Sequence, residues 1–108
     1  MQEHIDDMMA GEHIILIFPT LFRAQDAFKY HVPPHTEAHY SERMWKDTQS
    51  GGWIRFGYAE MDRDRLQGIL ADIRFVDDAA YIASNQFFIL ARERSSRYAE
   101  RKSKPLHK

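Results

Sequence analysis

The hydrophobic pattern of this chain changes period several times, and each change marks an element. Residues 2–9 carry Ile5, Met8 and Met9 on one side of a short predicted helix, which Gly11 ends. Ile14 to Phe18 is a continuous apolar run, the mark of a strand covered on both faces, as in parallel sheets. Pro19-Thr20 breaks it, and Thr20 is placed to cap the next helix. There Leu21, Ala24, Phe28 and Val32 recur at spacings of three and four, and Pro33-Pro34 stops the helix. His35 to Lys46 fits either a helix begun after the prolines or, in Tyr40 to Lys46, a strand. Asp47 to Gly52 is turn chemistry throughout. Trp53 to Ala59 alternates as a strand with Ile54, Phe56 and Tyr58 on one side, so an extended Tyr40 to Lys46 would make a hairpin with it. Asp62 to Leu70 reads as a short helix, and Asp72 to Asp77 as a second buried strand through Ile73, Phe75 and Val76. From Ala79 a long helix is expected, with a strand over Phe87 to Ala91 as the alternative that periodicity does not separate.

Strands alternating with helices predict an α/β fold, a small, mostly parallel sheet with flanking helices. The expected organisation is a single domain over residues 1–103 and a flexible basic tail over residues 104–108. In such sheets ligands bind outside the carboxyl ends of the strands. Pro19-Thr20 and Asp77-Asp78 fall there.

Composition narrows the class. The 108 residues, 44% hydrophobic and 13% aromatic, suit one globular core. There is no cysteine, which excludes disulfides and thiolate chemistry and fits a cytoplasmic, reducing setting. No apolar run exceeds five residues, too short to span a bilayer, and no membrane association is expected. The first eleven residues carry Glu3, Asp6 and Asp7 and lack a basic start followed by an apolar stretch, so no secretory signal is expected.

Charge is unevenly placed. Ala91 to Lys108 holds seven cations against two acids, a net of +5, so the rest of the chain carries −6 of the total of −1. Arg92, Arg94, Arg97, Arg101 and Lys102 are the candidate nucleic-acid-binding residues, since phosphate contacts need clustered cations. The alternative is a solvated helix end whose cations complement the helix dipole.

Three segments resemble the core of phage large-terminase and helicase-type motor ATPases. Ile14-Ile15-Leu16-Ile17-Phe18-Pro19-Thr20 followed by a helix is similar to their strand-Pro-Thr element. Gly52-Trp53-Ile54-Arg55-Phe56-Gly57 is similar to their next strand, and Arg65 through Ala80 to their approach to the Walker B strand. The resemblance covers about residues 13 to 85 and implies a truncated, RecA-like P-loop-ATPase core. It also implies a phage or mobile-element origin, cytoplasmic in the host cell. The chain lacks the glycine-rich loop and its Lys: only twelve residues precede the first strand, and no Gly-Lys-Ser or Gly-Lys-Thr occurs. Nucleotide binding needs backbone N–H groups cradling phosphates beside a cation. The expectation is therefore a binding or regulatory module without catalysis. Its partner would be a protein or nucleic acid, such as a motor, packaging or nucleoprotein machine.

If the chain is an enzyme, Asp77 and Asp78 are the candidate catalytic residues of a metal-dependent nuclease or phosphohydrolase, holding Mg²⁺ as in the motor family. Asp26, Asp62, Asp64 and Asp72 are further acids that such a site would draw on. The structural alternative is that acids ahead of a helix cap it. His35 and His39 share one face if the stretch is helical, a spacing that chelates Zn²⁺, although Glu37 sits one place late for His-Glu-x-x-His. Tyr40, Trp45, Trp53, Phe56 and Tyr58 interleave with Arg43, Lys46 and Arg55, either as a stacking platform for single-stranded bases or as a packed hairpin face.

Overall fold

The structure, a computed structural model, describes residues 1–30, 32–59 and 70–83. Its elements are α1 (Gln2–Met9), β1 (His13–Phe18), α2 (Leu21–Tyr30), β2 (Thr36–His39), β3 (Met44–Asp47), β4 (Trp53–Tyr58), β5 (Asp72–Phe75) and α3 (Asp78–Ala83). One five-stranded sheet has the order β2-β3-β4-β1-β5. β1 runs parallel to β4 on one side and β5 on the other, with Leu16 opposite Phe56 and Arg74. β2, β3 and β4 form an antiparallel meander. The fold is a small α/β domain with flanking helices, and its sheet is mixed rather than mostly parallel. The reason is local: short turns join β2 to β3 and β3 to β4, and such links permit only antiparallel neighbours.

The continuous apolar run of β1 is explained by its place between two strands, with both faces covered. Ile14, Leu16 and Phe18 join Met8, Ala24, Phe28, Trp45, Ile54 and Phe56 in one buried cluster. Ile15 and Ile17 face the other way and pack with Ile73. Both α1 and α2 supply the first cluster, through Met8 and through Ala24 and Phe28. Phe56 is its hub, with ring centroids 4.6 Å from Trp45 and 5.8 Å from Phe28, both edge-to-face. Such pairs add about 0.5–1.5 kcal/mol each beyond area burial. The Trp45 indole N–H donates to the Phe28 carbonyl at 3.0 Å, satisfying one of the carbonyls that the last turn of α2 leaves open.

The stretch after the prolines is not helical but two short strands, β2 and β3, joined by a turn at residues 40–43. His35 takes φ 60° and its carbonyl accepts from the backbone N–H and hydroxyl of Thr48, which turns the chain into β2. Of the two alternatives for Tyr40–Lys46 the strand forms, over Met44–Asp47, and β3 makes the hairpin with β4, with Trp45 opposite Ile54. β5 differs from its expectation: it ends at Phe75 rather than Asp77, Phe75 and Val76 are only half-buried, and Arg74 at its centre is buried beside Ile73. The helix expected over Asp62–Leu70 lies outside the described residues apart from exposed Leu70, as do Phe87 to Ala91 and the basic tail.

The turn between β3 and β4 is built on a buried acid. Asp47, 3% exposed, accepts from the Ser50 backbone N–H at 2.9 Å, with the Ser50 hydroxyl 2.6 Å from the same oxygen. These bonds, led by the hydroxyl, hold its carboxyl below the usual carboxylate range. A depressed folded-state value stabilises the fold above the unfolded value of about 3.9, and that contribution is lost as pH falls through the folded one. Ser50→Ala is therefore expected to lower Tm at pH 7, with the difference from wild type shrinking below about pH 4. Thermal melts from pH 7 to pH 2 check this; a difference independent of pH would remove the charged bond from the account.

Candidate functional site

At the carboxyl ends of the parallel strands three chain turns meet. β1 exits into Pro19-Thr20, β4 into Ala59 and β5 into Val76-Asp77. The ladders continue into these exits, since Ala59 N–H donates to the Phe18 carbonyl at 2.9 Å and Val76 N–H to the Ile17 carbonyl at 3.1 Å. Thr20 caps α2 as expected, its hydroxyl accepting from the Arg23 N–H at 3.2 Å. Asp77 caps α3, accepting from the Ala80 N–H on Oδ1 at 2.8 Å. Its other oxygen pairs with the Arg23 guanidinium at 3.1 Å, an ion pair about half exposed. The helix N–H first, and then Arg23, hold the Asp77 carboxyl below its ordinary value. This contact ties the start of α2 to the start of α3 across the strand ends.

Arg43 stands at the same end of β4. It takes φ 50°, a conformation that costs a non-glycine residue roughly 1–2 kcal/mol. In return its backbone carbonyl accepts from Phe56 at 2.8 Å and its Nε–H donates to the Phe56 carbonyl at 3.0 Å. The guanidinium carbon lies 5.5 Å from the centre of the Tyr58 ring. The aromatic set of the hairpin is thus split by role. Trp45 and Phe56 are core, Tyr40 is exposed with its edge against Phe28, and Trp53 stacks on His13 at 4.9 Å on the opposite rim of the sheet. They do not form one continuous platform.

The metal candidates fare differently from one another. His35 precedes β2 and His39 ends it, so the two lie four positions apart along extended chain, roughly 13 Å at strand rise. The helical spacing that would chelate zinc does not arise, and His39 Nε2 lies 3.5 Å from Glu37 instead. Asp77 and Asp78 are adjacent at the start of α3, but both oxygens of Asp77 are already engaged, one by a helix N–H and one by a cation. Asp26 lines a cleft with Ile5 and Trp45, and Asp72 is bound to Arg74. Among the described residues no group of three or more His, Asp or Glu is placed to hold a metal ion. No described helix is long and apolar enough to cross a membrane. Asp62, Asp64 and the candidate nucleic-acid-binding residues Arg92, Arg94, Arg97, Arg101 and Lys102 lie outside the described residues.

Sequence reasoning missed a concavity. On the face covered by α1 and α2, a cleft of about 340 Å³ is lined by Met1, Ile5, Asp26, Ala27, Tyr30 and Trp45. Each element gives it only one to three residues, and no motif marks it. Compared with known proteins, the chain matches no family model, no curated protein and no solved structure.

Proposed function

We propose that this chain is a non-catalytic binding module that acts through a protein partner. One observation carries the reading: the carboxylate best placed for chemistry, Asp77, is spent on capping α3 and holding Arg23. What remains at the strand ends is a clamp between two helices, a structural device rather than a reaction centre. The resemblance to motor ATPases supports the choice of a motor or packaging machine of a phage or mobile element as the place to look for the partner. The charge of the basic segment supports a second reading, nucleic-acid binding through Arg92 to Lys102.

The test separates these from the metal-dependent enzyme. Asn caps helices as well as Asp does, so a structural Asp77 tolerates Asp77→Asn, whereas Asp77→Ala costs about 1 kcal/mol of stability. A metal ligand or general base would suffer from both. The purified chain is expected to turn over neither ATP nor a phosphodiester in the presence of Mg²⁺. Turnover that both variants abolish would overturn the proposal. Copurification that survives nuclease treatment supports the protein partner; copurification lost with it supports the second reading.

A further inference from the structure

β2 lies at one edge of the sheet, and among the described residues nothing pairs with its outer side. Its neighbours fix which of its main-chain groups face outward. In β3 the Asp47 N–H donates to the Gly52 carbonyl at 2.8 Å and the Arg43 carbonyl accepts from the Phe56 N–H, so the odd-numbered residues there bond to β4. The even-numbered ones, Met44 and Lys46, bond to β2, where they stand opposite His39 and Glu37. The Thr48 N–H, donating to the His35 carbonyl, keeps the same alternation. Thr36 and Ala38 therefore point their N–H and C=O groups away from the sheet. Pro33-Pro34 ends short of β2, and β2 itself carries neither Pro nor Lys, the residues that commonly block an open edge.

We propose that β2 is a self-association edge: two copies of the chain pair antiparallel through it about a two-fold axis at Ala38, joining their five-stranded sheets. The alternation limits where such an axis can stand. Outward-pointing residues must face one another, so the axis passes through a residue and never between two. At Glu37 it would set two carboxylates directly opposite, which repel. At Thr36 it would set Pro34, which has no N–H, opposite Ala38. At His39 half of the pairing would fall on the turn at residues 40–43. At Ala38 the whole strand is used. The two Ala38 residues exchange both main-chain bonds, and Glu37 of each copy stands opposite His39 of the other. Glu37 and His39 already approach to 3.5 Å within one chain, so carboxylates and imidazoles alternate around the axis. An imidazole N–H donates to a carboxylate whether or not the ring is charged. The same register brings Tyr40, 71% exposed, beside Thr36 of the second copy. The proposal goes beyond the reading as a protein-binding module and uses none of the residues on which that reading stands.

With a four-residue strand on each side the interface is small, so the expected dissociation constant lies between roughly 10 µM and 1 mM. Sedimentation equilibrium of the full chain measures it. Ala38→Pro removes an N–H that β3 does not use, and is expected to leave the far-ultraviolet spectrum unchanged and the chain monomeric. Glu37→Lys places a cation opposite His39, and His39→Glu places an acid opposite Glu37; each alone is expected to weaken self-association about tenfold. When the two variants are mixed, the new lysine of one meets the new glutamate of the other, and the native Glu37 meets the native His39. The mixture is expected to regain wild-type association as a heterodimer. A wild-type chain that stays monomeric at about 1 mM overturns the proposal. So does a dimer that survives a folded Ala38→Pro, since another surface then holds it. A mixture that associates no better than either variant alone also overturns it, and this arm decides the matter if Ala38→Pro does not fold.

Discussion

Arg74→Ala is expected to cost about 3–5 kcal/mol, the usual penalty for breaking a buried ion pair by removing one partner. The Arg74 side chain is 3% exposed at the centre of β5. Its Nε–H lies 2.7 Å from Asp72 and its Nη2 2.7 Å from Asp7, with Glu12 4.0 Å away. Nη1 lies 2.9 Å from Nδ1 of His4, and since a guanidinium only donates, that nitrogen is the acceptor. Without the arginine, Asp72, whose side chain is 7% exposed, loses the guanidinium 2.7 Å away, and α1 loses its tie to β5. For a domain of this size the loss removes a large share of a total stability of about 5–15 kcal/mol. Denaturant melts of three variants separate the causes. Arg74→Met restores volume but removes the guanidinium from beside Asp72, so it should remain strongly destabilised. Arg74→Met combined with Asp72→Leu removes both charges and should recover much of the loss. A single Ala variant within about 1 kcal/mol of wild type would mean that Arg74 is solvated.

Gly52→Ala is the second large effect, at about 3 kcal/mol or more. The turn between β3 and β4 presses its backbone onto the end of α1. A Cβ on Gly52 would lie 1.9 Å from the Met8 carbonyl oxygen and 3.0 Å from that of Glu12, both main-chain atoms with no room to retreat. The same contact places Ser50 Oγ 3.0 Å from the Met8 carbonyl and lets Trp53 N–H donate to Glu12. Gly51 is the control. It has φ 79° but nothing within 4 Å of a built Cβ, so Gly51→Ala should cost only the left-handed backbone strain, roughly 1–2 kcal/mol. The order Gly52 worse than Gly51, measured by denaturant melts, distinguishes close approach from conformational strain; the reverse order would refute the packing of α1 on this turn.

These two sites show where the sequence is legible and where it is silent. β1 announces itself through five apolar residues in a row, because a strand covered on both faces has no polar side to display. α2 is legible from Thr20 and from the spacing of Ala24 and Phe28, and the capping role of Asp77 from its place ahead of Ala79 and Ala80. β2 is not legible: Thr36-Glu37-Ala38-His39 has no strand alternation, and its direction is set by His35 and by pairing with β3. Arg74 looks like the outward residue of an alternating strand. Its burial depends on Asp7 and Glu12, more than sixty positions earlier, and no local pattern encodes that distance. The cleft is hidden for a related reason: α1, α2 and β3 each give it only part of its lining, and no local pattern marks where the three meet.

The place of β1 between β4 and β5 also orders events in time. Emerging from a ribosome, β1 first gains a partner when β4 is made, and the meander of β2, β3 and β4 can assemble on α2 through contacts close in sequence. Its other side stays open until Phe75 has emerged, since β5 is the neighbour there. Ile15 and Ile17, which pack with Ile73, are therefore among the last core groups to be covered, and Arg74 reaches the acids of α1 at the same late step. Long-range parallel pairing of this kind is intrinsically slow. Translation speed between Tyr58 and Asp72 thus sets how long that half-built face stays open to other chains.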